Sequence, residues 1–217
     1  MTTTPARVQQ GFFAHPQALV ESADIGPGTR IWAFSHVMRG ARIGAGCNIG
    51  DHAFIESGAV IGNNVTVKNG VAVWDRVTVE DNVFLGPNCV LTNDLNPRTY
   101  IRKSTDALTG TLIRTNATVG ANATIVCGIT VGCYAFIGAG TVVIHSVPDF
   151  ALVVGNPARQ VGWMCVCARK LSLSVASSSN TSVTCAECGR RFIVGSRGWL
   201  RAAESRQTLG EVHESIR

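Results

Sequence analysis

No stretch of this chain is apolar for long enough to cross a bilayer, and its first seventeen residues, Met1 to Gln17, lack the apolar core of a signal peptide. Those two absences point to a cytoplasmic protein with no membrane insertion. Charge is sparse: 15% of the 217 residues are charged and the net charge is +5, part of it from residues 190 to 217, which carry six Arg against three Glu. Aromatics make up 6% of the chain and are not interleaved with basic residues, so no nucleic-acid partner is expected. Across the greater part of the chain there is no helix period either. Apolar residues nonetheless reach 46%, and without a membrane segment they must form a core of some other kind.

What the chain has instead is a period of six. Leu19, Ile25, Ile31, Val37, Ile43, Ile49, Ile55, Ile61, Val67, Val73, Val79, Leu85 and Leu91 follow one another without a miss, and Ile113, Val119, Ile125, Val131, Ile137 and Val143 resume the run. Four places after most of these stands a small or β-branched residue, among them Ala53, Ala59, Val65, Val71, Val77, Val83, Ala117, Ala123, Ala135 and Thr141. Glycine is frequent just after the aliphatic (Gly26, Gly44, Gly50, Gly62, Gly86, Gly120, Gly132, Gly138), where a corner would use its freedom to take φ > 0. Each hexad therefore reads as one short strand and one corner. Three hexads close a triangular coil, and stacked coils pair their strands in parallel ladders about 4.8 Å apart. The expectation is an all-β parallel β-helix of about six coils, with the aliphatics pointing inward.

The expected organisation is a lead-in over residues 1–18, the β-helix over 19–164, a small appendage over 165–194 and a tail over 195–217 that carries no readable motif and is expected to be disordered. Four cysteines fall inside the repeat: Cys47 and Cys89 on the small inward position, Cys127 and Cys133 two places after an aliphatic, where each reads as a small hydrophobe. The other four form two knuckles, Cys165-Val-Cys167 and Cys185-Ala-Glu-Cys188, separated by a Ser-rich stretch. In a chain without an export signal such pairs read as a structural zinc site with thiolate ligands, a redox pair or buried thiols being the alternatives. The second knuckle matches a zinc ribbon well. The first is tighter than usual and is followed by Ala168 where Gly is customary.

Leu91 and Ile113 are 22 residues apart, which is not a multiple of six, so the segment 92–112 must leave the coils as a loop. It is polar and cationic, and an excursion of that length in a regular solenoid serves function more often than packing.

The repeat, the loop from Phe84-Leu85-Gly86-Pro87-Asn88 to Thr92-Asn93-Asp94 and Asn96-Pro97-Arg98, the run Gly120-Ala121-Asn122-Ala123-Thr124-Ile125-Val126-Cys127-Gly128 and the closing Val153-Val154-Gly155-Asn156-Pro157-Ala158-Arg159 together resemble the left-handed β-helix acyltransferases. Within them the chain is similar to the nucleotide-sugar 3-N-acetyltransferases, above all to the UDP-2-acetamido-3-amino-2,3-dideoxyglucuronate N-acetyltransferases of O-antigen synthesis. The resemblance covers about residues 12 to 164. It implies left-handed coiling, acetyl-CoA as co-substrate, a nucleotide-sugar acceptor, and a homotrimer with active sites in the grooves between prisms. Attack by an amine needs alignment and oxyanion stabilisation more than a dedicated base.

Asn69 matches the first Asn of a stretch that in this family holds the sugar amine, and it is expected to orient that amine. Lys68 replaces the family's Gln and Gly70 its second Asn, so Lys68 places a cation where a sugar carboxylate could meet it. Asn93, Asn96, Arg98 and Lys103 become candidates for the nucleotide or uronate end, Arg98 through bidentate contacts. Gly120, Ala121, Ala139 and Gly140 are expected to leave backbone amides open to the pantetheine arm, and Arg159 to meet the CoA phosphates. No His occurs in the loop, in contrast to hydroxyl acetyltransferases. Among His15, His36, His52, His145 and His213, only His36 is a candidate for the groove, and the five do not supply the three-His zinc site of a γ-class carbonic anhydrase. A dTDP-3-amino-deoxyhexose acceptor, another hexapeptide acyltransferase with a small hydroxylated acceptor, and a non-enzymatic scaffold whose ribbon binds a protein are the alternatives.

Overall fold

The computed structural model describes residues 7–9, 11–196 and 198–203. Among them the chain winds into a three-sided parallel solenoid whose strands are mostly two residues long. The first face stacks strands that carry Ala14, Ile31, Ile49, Val67, Leu85, Val119, Ile137 and Val153; the second Val20, Val37, Ile55, Val73, Leu91, Ile125 and Val143; the third Ile25, Ile43, Ile61, Val79, Ile113, Val131 and Val147. That is seven coils, one more than the period suggests, because the solenoid already begins at Phe12–Ala14, inside the expected lead-in, and continues past Val143 to Val147 and Val153. Each hexad donates to the coil above, as in Trp32 N–H to Ile49 O (2.9 Å) and Gly50 N–H to Val67 O (2.7 Å). Most backbone groups are thereby paired even though no strand is long.

Both apolar positions of the hexad point inward. Ile31, Ile49, Ile55, Leu85, Ile113, Ile125 and Ile137 are fully buried, as are Val65, Val71, Val77 and Ala117 four places after their aliphatics. Cys47 and Cys89 sit among them as expected, and burial pushes the Cys89 thiol up to about 12, so it is an inert packing group. Two of the polar side chains at the small position bond to the coil above, Ser35 Oγ donating to Gly50 O (2.7 Å) and Thr29 Oγ1 to Gly44 O (2.8 Å), whereas the buried hydroxyls of Thr111 and Thr141 have no partner among the described residues.

Two expectations are corrected. Leu19 is not a core residue: it is 56% exposed, and Val20 pairs with Val37 in its place. The hexad from Val20 to Ile25 has five residues, and a slip of one reverses which side chains face inward. The glycines that follow the aliphatic are not at positive φ either. A Cβ on Gly86 would lie 2.7 Å from Ala121 N, and one on Gly120 would lie 2.6 Å from Ala139 N, so these glycines let one coil pass over the next. Positive φ occurs two residues further on, in step with the repeat: Gly28, Phe34, Gly40, Gly46, His52, Gly58, Asn64, Gly70, Arg76, Asn82 and Asn88, then Asn116, Asn122, Gly128, Tyr134 and Gly140. Gly and Asn dominate there because they adopt the left-handed region at least cost.

The three edges differ. The third-to-first edge carries a ladder of acidic and amide side chains: Asn63 Oδ1 accepts from Ala45 N–H (2.9 Å), Asp81 Oδ1 from Asn63 N–H (2.6 Å) and Asp149 Oδ1 from Cys133 N–H (2.8 Å). The second-to-third edge emits the long loop, which contains one turn of 3-10 helix at Thr105–Ala107. The loop is pinned at its base by Thr109 N–H to Asn93 O (2.8 Å) and by Arg76 to Asp106 (3.0 Å). The first-to-second edge is continuous and open.

At the end of the last coil, Arg159–Trp163 folds back antiparallel on Ala151–Val154, and a three-stranded antiparallel sheet of Ser182–Thr184, Arg191–Val194 and Leu200–Ala202 follows. Leu200 is buried, so the appendage runs past its expected end at 194. The expected disordered tail beyond 203 lies outside the described residues.

The corner geometry makes a paired prediction. Gly86→Ala should lower stability by about 2 kcal/mol or more, since only backbone could move away. Gly28→Asn, at φ +74° with its nearest neighbour 3.8 Å away, should stay within about 0.5 kcal/mol. Denaturant unfolding of both variants checks it, and equal losses would contradict the assignment.

Candidate functional site

The first-to-second edge gathers most of the expected site. Along it the corner backbones bond in series: His52 N–H to Ala33 O (3.1 Å), Gly70 N–H to Asp51 O (3.0 Å), Asn88 N–H to Asn69 O (3.0 Å), Asn122 N–H to Pro87 O (3.0 Å) and Gly140 N–H to Ala121 O (2.9 Å). Lys68 and Asn69 therefore share one edge with Gly120, Ala121, Ala139 and Gly140. Asn69 lies two coils below Ala121, about 10 Å by ladder spacing. Val154 to Ala158 continues the same edge over the final coil, with Ala158 N–H bonded to Val142 O (2.8 Å), and delivers the exposed Arg159 to its end. From Asn69 to Arg159 is four ladder spacings, about 19 Å.

Asn69 is exposed and Lys68 half-buried. The Asn69 carboxamide oxygen lies over Gly50, 2.5 Å from where a Cβ there would stand, so Gly50 makes room for it. Of the four backbone positions expected to offer amides, two are committed to the fold: Gly120 N–H donates to Ile137 O (2.8 Å) and Gly140 N–H to Ala121 O (2.9 Å). The amides of Ala121 and Ala139 have no partner among the described residues. Arg159 Nη1 donates to Ala158 O (3.0 Å), which orients the guanidinium and leaves its other donors available.

The loop residues lie elsewhere. Asn93, Asn96, Arg98 and Lys103 project from the second-to-third edge, and the second face separates them from Asn69 within one chain. Lys103 is engaged inside the loop, with Asp94 and with Asn96 O (2.8 Å), and its hydrogen bond holds the Asp94 carboxyl below the usual range. Asn96 N–H also donates to Asp94 Oδ1 (2.9 Å). Arg98 and Asn96 are exposed, Asn93 half-buried.

His36 points outward from the second face, two coils below Asn69. Its Nε2 lies 3.0 Å from Glu21 Oε2, and its ring meets Phe54 edge-on at 5.5 Å. His15 Nδ1 accepts from Gln17 N–H (3.2 Å) and His145 is exposed, while His213 lies outside the described residues. A pair that the hexad rule passes over is Phe34 and His52, stacked at 5.0 Å on successive corners directly below Gly70. That rule describes inward positions, and both residues occupy the outward positive-φ corner, so only their matching hexad phase could have drawn attention to them.

The four cysteines expected to hold zinc do converge, with their sulfurs all within 4.8 Å of one another. They lie apart from this edge, beyond the far end of the strand that begins at Arg159.

Two family models match the chain: the six-repeat bacterial transferase hexapeptide over residues 22–57 and 58–93, and the hexapeptide repeat of succinyl-transferase over 110–144. The chain is 48% identical over 180 residues to the dTDP-3-amino-3,6-dideoxy-α-D-galactopyranose 3-N-acetyltransferase of Aneurinibacillus thermoaerophilus, covering 83% of this chain and 90% of that one. Among solved structures it is similar to a mutant perosamine N-acetyltransferase of Caulobacter crescentus in complex with CoA and GDP-perosamine, with 23% identity and a TM-score of 0.46, covering 70% of this chain and 56% of that one. It is also similar to the acetyltransferase domain of PglB from Neisseria gonorrhoeae, with 24% identity and a TM-score of 0.44, covering 69% and 57%. A repeat that matches the hexapeptide models and a relative of near-equal length that shares almost half its residues make this chain a member of the hexapeptide-repeat nucleotide-sugar N-acetyltransferases.

Proposed function

We propose that the chain transfers the acetyl group of acetyl-CoA to the 3-amino group of a dTDP-linked 3-amino-3,6-dideoxyhexose. The observation that carries this choice of acceptor is the 48% identity, over nearly the whole length, to an enzyme named for such a substrate. In this reading the pantetheine arm lies along the first-to-second edge, its amide groups bonded to the free amides of Ala121 and Ala139, and Arg159 meets the phosphates at the end of the prism. Asn69 orients the sugar amine. The neutral amine attacks the thioester carbonyl carbon, the C–S bond breaks as the C–N bond is completed, and the leaving CoA thiolate takes the proton from the nitrogen. The stacked Phe34 and His52 offer a flat surface to the nucleobase below Asn69.

Within one chain the loop cannot reach that edge, so the reading requires a trimer in which the loop of one copy brings Asn93, Asn96 and Arg98 to the groove of its neighbour. Lys103, bonded to Asp94, acts by holding that loop closed. A UDP-linked uronate is the second reading. Lys68 favours it, as a half-buried cation beside Asn69 that would suit a carboxylate on C5.

Three measurements test the assignment. Thiol release from acetyl-CoA should be strong with a dTDP-3-amino-3,6-dideoxyhexose and weak with UDP-2-acetamido-3-amino-2,3-dideoxyglucuronate; the reverse preference would replace the first reading with the second. Asn69→Ala should lower turnover about a hundredfold or more while CoA affinity and melting temperature stay near wild type. A parallel fall in melting temperature would mean that the carboxamide over Gly50 serves the fold instead. Arg159→Ala should weaken CoA binding about tenfold, the worth of a charge-assisted contact, and an unchanged dissociation constant would hand the phosphates to another cation.

A further inference from the structure

Beyond the last coil, Cys165 Sγ lies 3.4 Å from Cys188 Sγ and Cys167 Sγ lies 3.7 Å from Cys185 Sγ, and all four sulfurs fall within 4.8 Å of one another. A disulfide would bring a pair to about 2.05 Å. Four thiolates around one zinc at about 2.3 Å would instead stand about 3.8 Å apart along the edges of a tetrahedron, close to what is seen. We propose that Cys165, Cys167, Cys185 and Cys188 hold one zinc ion in a closed tetrathiolate site, and that this site folds the C-terminal unit into a cap over the end of the hydrophobic core.

The local backbone is shaped for it. Cys165 N–H bonds to Arg169 O (2.8 Å) and Ala168 N–H returns to Cys165 O (2.9 Å), with Ala168 at φ +62°. The second knuckle is closed in the same manner by Cys185 N–H to Arg190 O (2.8 Å) and Gly189 N–H to Cys185 O (3.0 Å), with Gly189 at φ +71°. The two knuckles are matching tight turns, and the first keeps its form although it places alanine where glycine is cheaper. Ala168 is one of the two departures that set the first knuckle apart in the sequence, the tighter spacing of its cysteines being the other, and it adopts the positive φ that Gly189 adopts in the second. Arg169 and Lys170 follow one knuckle and Arg190 and Arg191 the other, which suits the double negative charge of a zinc with four thiolates.

The unit needs the ion because it has little else. Its own core is Leu171, Phe192, Val194 and Leu200 beside Cys165 and Cys185, too small to stand without a staple. What it covers is the last coil. Phe192 meets Phe150 edge-on at 5.4 Å, and Phe150 stacks on Tyr134 at 5.2 Å. Solenoids need such a cap, because an open end exposes core side chains and unpaired strand edges. Four protein ligands leave no position for water or substrate, so the ion is structural and independent of acyl transfer.

Metal analysis of the full chain should find about one zinc per chain. Cobalt substitution should give the thiolate charge-transfer and tetrahedral d–d bands of a four-sulfur site. Cys188→Ser, which changes the exposed ligand, should lose most of the metal. Should that variant fail to fold, the wild-type chain answers the same question: chelation should open the 172–182 segment to protease while residues 12–163 stay protected, and added zinc should restore resistance. Iron in place of zinc, disulfides found by mass spectrometry in freshly reduced and re-equilibrated protein, or a protease pattern indifferent to chelation would each overturn the proposal.

Discussion

The stacking of each hexad on the one eighteen residues later is the constraint on which the rest of this structure depends. Strands of two residues could not hold a sheet on their own. Here each is secured by the rung above and the rung below, and the corners are bonded as well, so that Gly70 N–H finds Asp51 O and Gly140 N–H finds Ala121 O. Such a stack tolerates very little between its layers. The glycines that follow the aliphatics are there because the next coil passes within 2.4 to 2.8 Å of where a Cβ would be at Gly26, Gly44, Gly86 and Gly120.

The same constraint distributes function. With the interior filled by aliphatics and the corner amides spent on the ladder, a ligand can address only what the ladder leaves over. On the first-to-second edge this remainder includes the Asn69 side chain, the Ala121 and Ala139 amides and the Arg159 guanidinium, spaced by whole coils. The loop is the single long excursion among the coils, and it leaves from a different edge. A groove built from both therefore needs two chains, and oligomerisation becomes part of the proposed chemistry. At the end of the stack the constraint lapses for want of a next coil, and a small cysteine-clustered unit covers Phe150 there.

The inward positions were legible because a period of six admits few explanations, and the burial of Ile31 through Val143 follows it closely. Leu19 misled because the pattern of aliphatics continued through a hexad that is one residue short, and Val20 was an equally good candidate one place later. The corner glycines were legible as necessary and misread as to cause: composition shows that a side chain is unwelcome, but only the neighbouring coil shows whether sterics or φ forbids it. The appendage was legible from two cysteine pairs, while its third strand was not, since Leu200–Ala202 is too short to show a period.

Sequence alone determined the coil, the faces and the residue types on each, because hexad phase assigns every side chain inward or outward without reference to anything remote. Tertiary structure decided which of the outward residues are available. Gly120 and Ala121 are adjacent in sequence and both small, yet one amide is consumed by Ile137 and the other is left open. Lys68 and Lys103 are both cations of the expected site, yet one stands beside Asn69 and the other is bonded to Asp94. The first difference recurs once per hexad but arises only when one coil is stacked on the next, and the second depends on the path of the loop, which has no period.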